Sequence, residues 1–467
     1  MSPAVSWREE FEARRENVMV EDWITKDIEA GGIRLIRAIY CGPDGITRGK
    51  AFPPRYLNEV LAGGIGLTQA QASVTIFDQL PPESRYQPIG EIRICPDIDT
   101  YNVIPYARGE ARLLSDLHTR QGHPWELCPR SLLKDFVALL QGRGIVIESS
   151  FENEFVLYKN VDHEWRPVHE MNCFSSAAMD ASSEWVLPIL EALEAQGVVV
   201  ERYFPEAGRG QQEIPVRHRR GVAAADQQVV FRETVRGVAA ARGLRASFMP
   251  KPDPNSAGNG CHIHFSLWDL EGKRNLLFDP SVDYELSGTG RMFAAGLLAH
   301  LPALLAITAP TTNSYRRFAE RCWSSCYVCW GPDNREATVR VASSFRGREE
   351  ASLNLEFRPA DPTCNPYLAL AAIICAGLDG VDGRRDLGEP TLTDPALLSP
   401  AERESRGLHC YPSDLSSALT ALEHDDVLRR GLGEDRVRDY VTMKRAEVAT
   451  VEAMGDGAEE KAYKFRF

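Results

Sequence analysis

"FENEF" (151–155) lies inside the longer run "GIVIESSFENEFVLYK" (144–159). The run is rich in β-branched and aromatic residues and alternates with a period of two, so it predicts a strand. In a strand, residues i and i+2 share a face. Glu152 and Glu154 therefore point one way, and Phe151, Asn153 and Phe155 point the other. Two carboxylates side by side repel each other. Either water on an open strand face or a hard divalent cation with oxygen ligands relieves that repulsion. The strand alone leaves both readings open.

Three further stretches carry polar chemistry in the same alternating pattern. "CHIHFS" (261–266) puts His262, His264 and Ser266 on one face and Cys261, Ile263 and Phe265 on the other. Histidines at i and i+2 suit a metal, a phosphate or a plain surface. "PEAGRGQQE" (205–213) sets Glu206 and Glu213 on either side of a glycine-rich turn, which can bring both to one ion or leave both in water. "NLEFR" (354–358) places Glu356 and Arg358 on one face. Arg316, Arg317, Arg335, Arg340, Arg346, Arg348 and Arg358 crowd the stretch 316–358, a composition suited to an anionic substrate and phosphate or to surface ion pairs.

The whole chain sets limits around these stretches. Its 467 residues are enough for two or three domains, and 43% hydrophobic with 25% charged residues is ordinary for a globular protein. A net charge of −13 argues against nucleic-acid binding, which needs a basic face. The opening "MSPAVSWREEFEARREN" lacks an apolar core, so no signal peptide is expected, and a cytoplasmic setting with reduced cysteines follows. "MFAAGLLAHLPALLAITAP" (292–310) approaches membrane-spanning length, but His300 and Pro302 favour a buried core helix and no membrane.

Residues 1–30 read as helix. "IRLIRAIYCGPDGITRGKAF" reads as a hairpin around Gly-Pro-Asp-Gly, and "ASVTIF" and "EIRICPDIDTYNVIPY" read as further extended runs. Helices are expected at 129–144, in "SEWVLPILEALEAQG", in "AADQQVVFRETVRGVAAARG", at 365–380 and in the tail from about 413. Strands are expected in "VVVERYF", "RASFMPKP" and "CHIHFSLWD". This is an α+β protein with a small β-rich domain at 1–112 and a larger domain at 113–467. No internal repeat is visible.

Taken in order, the polar stretches resemble the glutamine synthetase family. The matching elements are "FENEF", "EAGRGQQE", "SFMPKP", "GNGCHIHFS", "NSYRRF", "DNREATVRV" and "LEFRPADPTCNPYLALAAIICAGLDG", and they cover roughly 105–380. The resemblance implies a β-grasp N-terminal domain and a catalytic domain whose curved antiparallel sheet is flanked by helices. It implies rings of subunits, with a dodecamer of two hexamers as the expected assembly and each site lying between neighbours. It implies an ATP-dependent ligase acting on L-glutamate through γ-glutamyl phosphate, with two Mg²⁺ or Mn²⁺ ions. Carried over by motif, one ion belongs to Glu154, Glu206 and Glu213, and the other to Glu152, His262 and Glu356. His264, Ser266 and Arg340 would meet ATP. Arg335 and Arg340 would stabilise the transferring phosphoryl group. Gly258, Arg317 and Arg358 would hold glutamate.

The chain departs from the family pattern where ammonium should be handled. The flap normally reads G-Y-E-A-P; here it is Arg321, Cys322, Trp323, Ser324 and Ser325, with Trp323 at the acid's position. The second expected acid, in F-D-G-S-S-I, has no counterpart in "GGIGLTQAQ" (63–71). Asn354 stands where many members carry arginine. A carboxylate pair suits deprotonation of ammonium, whereas tryptophan offers an apolar face or a cation–π contact. The expected nucleophile is therefore an organic amine (alkyl, hydroxyalkyl or aryl). A full polyamine would want acids that this flap does not supply. A true glutamine synthetase and a catalytically weak relative are the alternatives. In "RCWSSCYVCW" (321–330), Cys322, Cys326 and Cys329 have the spacing of a radical-enzyme iron–sulfur motif. Every other motif describes a different fold, so the stretch reads as an altered flap. Tyr411, in "HCYPSDL", is a poor match for an adenylylation tyrosine, so no such control is expected.

Overall fold

A computed structural model of the chain describes residues 22–455 and 457–467. The opening stretch, where no signal peptide is expected, lies outside the described residues, as does most of the expected first helix, of which Asp22–Ala30 is seen.

The hairpin is formed by β1 (Leu35–Cys41) and β2 (Thr47–Phe52), antiparallel, with Cys41 opposite Thr47. Asp44 shapes the turn by accepting from the Ile46 N–H and both Arg48 terminal nitrogens. Gly45 has φ +87°, and a Cβ there would lie 2.1 Å from the Thr363 carbonyl oxygen, so only glycine lets the turn press so close to the larger domain. Asn365 Nδ2 donates to the Gly42 carbonyl at 2.7 Å across the same junction.

β3 (Ile65–Thr68), β4 (Glu91–Pro96), β5 (Asn102–Val103) and β6 (Glu110–Thr119) complete the first sheet, in the order β2-β1-β6-β4-β3 with β5 beside β6. β1 and β6 run parallel. The expected domain break after residue 112 falls inside β6, whose later half pairs with β4. "ASVTIF" is not a strand. Thr75 Oγ1 accepts from the N–H groups of Phe77 and Gln79 and turns the chain, while the Ile76 N–H is taken by Glu447.

The second sheet is built on β7 (Ile145–Val161), longer than expected at 17 residues. Around it lie β8 (Glu164–Pro167), β9 (Phe204–Pro205), β10 (Gln211–Glu213), β11 (Arg219–Arg220), β12 (Leu244–Ser247) and β13 (Cys261–Asp269). β14 (Tyr327–Pro332), β15 (Ala337–Ala342) and β16 (Asn354–Phe357) close the order β14-β15-β16-β13-β7-β10-β9. The pairings are antiparallel except β14 with β15. "VVVERYF" contributes only the Val200–Val216 bridge and β9, since the chain there enters the tight hairpin that carries Glu206.

Helices Pro129–Gly142, Ser176–Glu194, Val222–Ala241 and Pro366–Asp382 flank this sheet, as an α+β fold requires. The apolar face of β13 (Cys261, Ile263, Phe265, Leu267) is completely buried against the core that contains Pro366–Asp382. The apolar run at 292–310 is two helices, Gly288–Ala299 and Leu301–Thr308, bent by 77°. The bend sits at His300, whose imidazole lies 2.6 Å from Asp425 and 3.0 Å from Asp379, with Pro302 opening the second helix. Among the described residues no single helix is long and apolar enough to cross a membrane.

Candidate active site

The polar face of the second sheet gathers its charges by register. Glu152 on β7 lies opposite His262 on β13. His264 lies opposite Glu356 on β16, and Glu356 opposite Arg340 on β15. On the other side of β7, Glu154 lies opposite Glu213 on β10. Side chains at paired positions on one face approach closely, so four strands deliver one cluster. His262 Nδ1 is 3.3 Å from both Glu152 Oε2 and Glu356 Oε1. His264 Nε2 is 3.4 Å from Glu152 Oε2 and 3.7 Å from Glu356 Oε1.

Glu356 is the electrostatic hub and is fully buried. Arg358 donates to its Oε1 at 2.5 Å, and Arg340 Nε sits 2.8 Å from its Oε2. The Arg340 contact lacks hydrogen-bond geometry, so Glu356 Oε2 and Arg340 Nε both keep unused bonding capacity in a buried place. Burial opposes ionisation of Glu356, yet Arg358, His264, His262 and Arg340 hold its pKa at about 2. The two histidines diverge. Burial and then Arg358 push His262 down to about 4, whereas Glu356 and Glu152 outweigh burial and raise His264.

Asn354 fixes how His264 behaves. Its amide Nδ2 donates to the Ser352 carbonyl, so its Oδ1 faces His264 Nδ1 at 2.8 Å and accepts from it. A neutral His264 thus carries its proton on Nδ1 and presents the Nε2 lone pair to Glu152 and Glu356. Among the described residues, one set of ligand atoms gathers within 4.8 Å, from Glu152, His264 and Glu356. Sequence reasoning gives His262 to this set and His264 to ATP phosphate. His264 joins the two glutamates in that set, while His262, at 3.3 Å from each, lies at least as near, so both imidazoles border it and Asn354 holds the far nitrogen of His264. Two carboxylates with imidazole nitrogen suit Mg²⁺ or Mn²⁺. Ser266, further along the same face, accepts from the Trp268 indole.

Glu154, Glu206 and Glu213 lie around the β9–β10 hairpin and do not form a comparably tight set among the described residues. They still sense one another. Burial and the Glu206 charge push Glu154 up to about 7, and burial with Glu152, Glu154 and Glu206 raises Glu213 well above the usual range. A buried group of like charges is costly unless a cation joins it, which is the donor chemistry expected of a divalent metal site. Gln211 was not singled out from the sequence, although "GQQE" contains it. Its Nε2 binds Glu154 and the Gly258 carbonyl, both at 2.8 Å. A Cβ at Gly258 would lie 2.6 Å from the Pro250 carbonyl and 2.7 Å from the Arg317 side chain, so this backbone packs directly on Arg317. Buried Arg317 donates to the Pro359 and Ala360 carbonyls.

The flap is tied down by its backbone. The Trp323 carbonyl accepts from Arg358 NH2 at 2.7 Å, and its N–H donates to Glu336 Oε1 at 2.7 Å. Arg358 Nε in turn donates to the Arg335 carbonyl, so every nitrogen of Arg358 is engaged. The Arg335 side chain itself is exposed. Trp323 has φ +60°, and its indole is 68% exposed rather than walling a closed pocket within the subunit. The flap's own residues, 321–325, carry no acid, but one approaches them from outside the stretch. Glu336 reaches it from the turn just before β15, and its only sequence signal is its place directly after Arg335. Tyr411 is buried and bonds Ser325 and Thr338, holding the flap's end. The three cysteines do not converge as metal ligands among the described residues. Cys326 is pushed up to about 12 and Cys329 to about 11, both chiefly by burial, which keeps them as thiols.

Comparison with known proteins agrees with this arrangement. Residues 21–125 match the glutamine synthetase N-terminal domain, and residues 126–463 match the glutamine synthetase catalytic domain. The gamma-glutamylpolyamine synthetase GlnA3 of Streptomyces coelicolor is 32% identical, over 95% of this chain and 96% of its own. The glutamine synthetase of Halobacterium salinarum is 33% identical, again over 95% of this chain and 96% of its own. Among solved structures, a GmaS/ADP complex superposes with a TM-score of 0.82 at 28% identity, covering 95% of this chain and 99% of that one. The fold and site are those of an ATP-dependent carbon–nitrogen ligase, a class that forms γ-glutamyl amides from glutamate and a nitrogen donor with divalent metal ions. The chain belongs to the glutamine synthetase family.

Proposed function

We propose that this enzyme joins an organic amine to the γ-carboxyl of L-glutamate through γ-glutamyl phosphate. The observation that carries the reading is Trp323 at the flap position where the family bears a carboxylate, with no aspartate at 63–71. The exposed indole leaves an apolar, π-rich face available to an alkyl, hydroxyalkyl or aryl group. The similarity to a protein named as a γ-glutamylpolyamine synthetase supports amine ligation, alongside relatives named simply as glutamine synthetases.

In this reading Glu154, Glu206 and Glu213 hold one divalent ion, and Glu152, His262, His264 and Glu356 surround the second. Bound Mg²⁺ or Mn²⁺ supplies positive charge to the ATP phosphates. Arg335 and Arg340 add charge beside the transferring phosphoryl group, and Ser266 lies toward the nucleotide. The glutamate γ-carboxylate oxygen takes the γ-phosphoryl group and ADP departs. Arg317, Gly258 and Arg358 orient the amino acid, and Arg358 is free to do so once the Trp323 carbonyl yields its place. The amine nitrogen then attacks the acyl carbon and phosphate leaves. The family assembly of two stacked hexameric rings, with sites between subunits, and a cytoplasmic setting complete the proposal.

The test is ATP-dependent phosphate release with L-glutamate and Mg²⁺ against ammonia, methylamine, isopropylamine, ethanolamine, putrescine and aniline. An organic amine is expected to give the highest kcat/KM. Highest kcat/KM with ammonia would make this a glutamine synthetase, and no release with any amine would make it a catalytically weak relative.

A further inference from the structure

Glu336 lies in a closed ring of contacts at the centre of the flap. Its Oε1 accepts from the Trp323 N–H, the Trp323 carbonyl accepts from Arg358, Arg358 donates to the Arg335 carbonyl, and Arg335 is joined covalently to Glu336. The Glu336 N–H is itself fixed by Asn334 Oδ1 at 3.0 Å. A carboxylate therefore stands against residue 323 although none is carried by the flap.

This carboxylate differs from the other acids nearby. Glu320 pairs with Arg403, and Asp394 faces Arg321. Among the described residues, no lysine, arginine or histidine nitrogen lies within ion-pair distance of Glu336. It is half-buried, and burial together with the nearby Asp394 charge raises its pKa against the pull of the Trp323 N–H, Arg358 and the Ser325 N–H. A half-buried anion with no direct ion-pair partner, set against the flap next to Arg335, is a place for an incoming cation.

We propose that Glu336 receives the ammonium group of the amine substrate and takes its proton, which narrows the substrate to protonated aliphatic amines. The inference rests on the amide-ligase reading above. The protonated amine gives one proton to the Glu336 carboxylate. The freed lone pair forms the C–N bond at the γ-carbonyl carbon, the C–O bond to phosphate breaks, and the second amine proton leaves with the phosphate. Glu336 thus does from the turn before β15 what the family assigns to an acid in the flap. A neutral aromatic amine has no charge to bring to it.

The experiment compares methylamine, cationic at neutral pH, with hydroxylamine, which is uncharged there, in the wild type, Glu336→Gln and Glu336→Asp. Glutamine keeps an acceptor for the Trp323 N–H but removes the charge. The ratio of kcat/KM for methylamine to that for hydroxylamine is expected to fall about tenfold to a hundredfold in E336Q, the scale of a hydrogen bond to a charged group. It should stay nearer the wild-type ratio in E336D. The ratio reports only folded, active enzyme, and Glu336→Ala carries the same expectation if E336Q does not fold. An unchanged ratio in the neutral variants, with wild type active on both nucleophiles, overturns the role of Glu336 alone. A wild type that forms neither methylamide nor hydroxamate overturns the ligase reading beneath it.

Discussion

Two regions of this enzyme carry its charge chemistry in opposite ways. At the charged end of the second sheet, β7, β10, β13, β15 and β16 each contribute one or two side chains, and strand register sets their neighbours. In the flap, three of five residues (Arg321, Trp323 and Ser325) have left-handed backbone conformations, with φ of 58°, 60° and 62°. Its position is set by residues 336, 358 and 411, which arrive from elsewhere. Alternation makes the first region rigid and its chemistry local. The second depends on tertiary contacts to hold a shape its own sequence disfavours.

The sharpest way to break this contrast is to remove the hub of the sheet cluster. Glu356→Ala leaves Arg358, Arg340 and both histidines without their shared anion. Breaking one side of a buried ion pair costs about 3–5 kcal/mol, so the urea unfolding midpoint should drop sharply. ATP-dependent phosphate release should fall by about two to three orders of magnitude, the scale of removing one preorganised electrostatic group from a reacting centre. A variant of near wild-type stability would show that the cluster does not depend on Glu356.

Asn354 tests whether His264 is a metal ligand. Asn354→Leu removes the acceptor for Nδ1, and loss of such an outer partner typically costs about 10–100-fold in metal affinity. Mn²⁺ titration calorimetry should show that weakening in Asn354→Leu and little of it in Asn354→Asp, which keeps the acceptor. Equal affinity in all three would return His264 to the nucleotide side.

His300 sharpens the comparison from outside the site, as a buried charge held by register-independent packing. Burial alone would lower its pKa, but Asp425 and Asp379 outweigh burial and raise it. A histidine raised on folding adds stability that is fully present below the unfolded pKa of about 6.5 and is lost as pH rises through the folded value. The stability gap between wild type and His300→Gln, about 1.5 kcal/mol at its largest, should therefore be greatest on the acid side and shrink toward alkaline pH. A gap independent of pH would mean that His300 is neutral in the fold.

This contrast also explains what the sequence made legible. "FENEF", "CHIHFS" and "NLEFR" could be assigned faces from period two alone, and the structure places Glu152, His262, His264 and Glu356 on one face as that pattern requires. The bend at His300 was hidden because it depends on carboxylates 79 and 125 positions away in the chain. "ASVTIF" misled because its β-branched residues are spent on a threonine-capped turn and a bond to Glu447. Glu336 is hidden for a similar reason: it lies outside the flap's own stretch and meets it only through the fold, from the turn before β15. The role of Asn354 likewise appears only when Ser352 fixes the direction of its amide.

The flap supplies the smallest and most particular prediction. Trp323 stands where the family carries an acid, yet it is exposed and its backbone is strained. Trp323→Ala removes little burial and keeps the left-handed φ. Trp323→Gly removes the same side chain and relieves that φ, worth about 1–2 kcal/mol, against about 0.4–1 kcal/mol of added freedom in the unfolded chain. The glycine variant should therefore be the more stable of the two by up to about 1.5 kcal/mol in urea unfolding, a reversal of the usual order. Both variants should lose discrimination among amines to the same degree, because both lack the indole. If glycine is instead less stable than alanine, the left-handed turn at 323 is not an intrinsic feature of the folded chain. The flap would then take that shape only under the pull of Arg358 and Glu336, and preference among amines would follow those two residues more than Trp323.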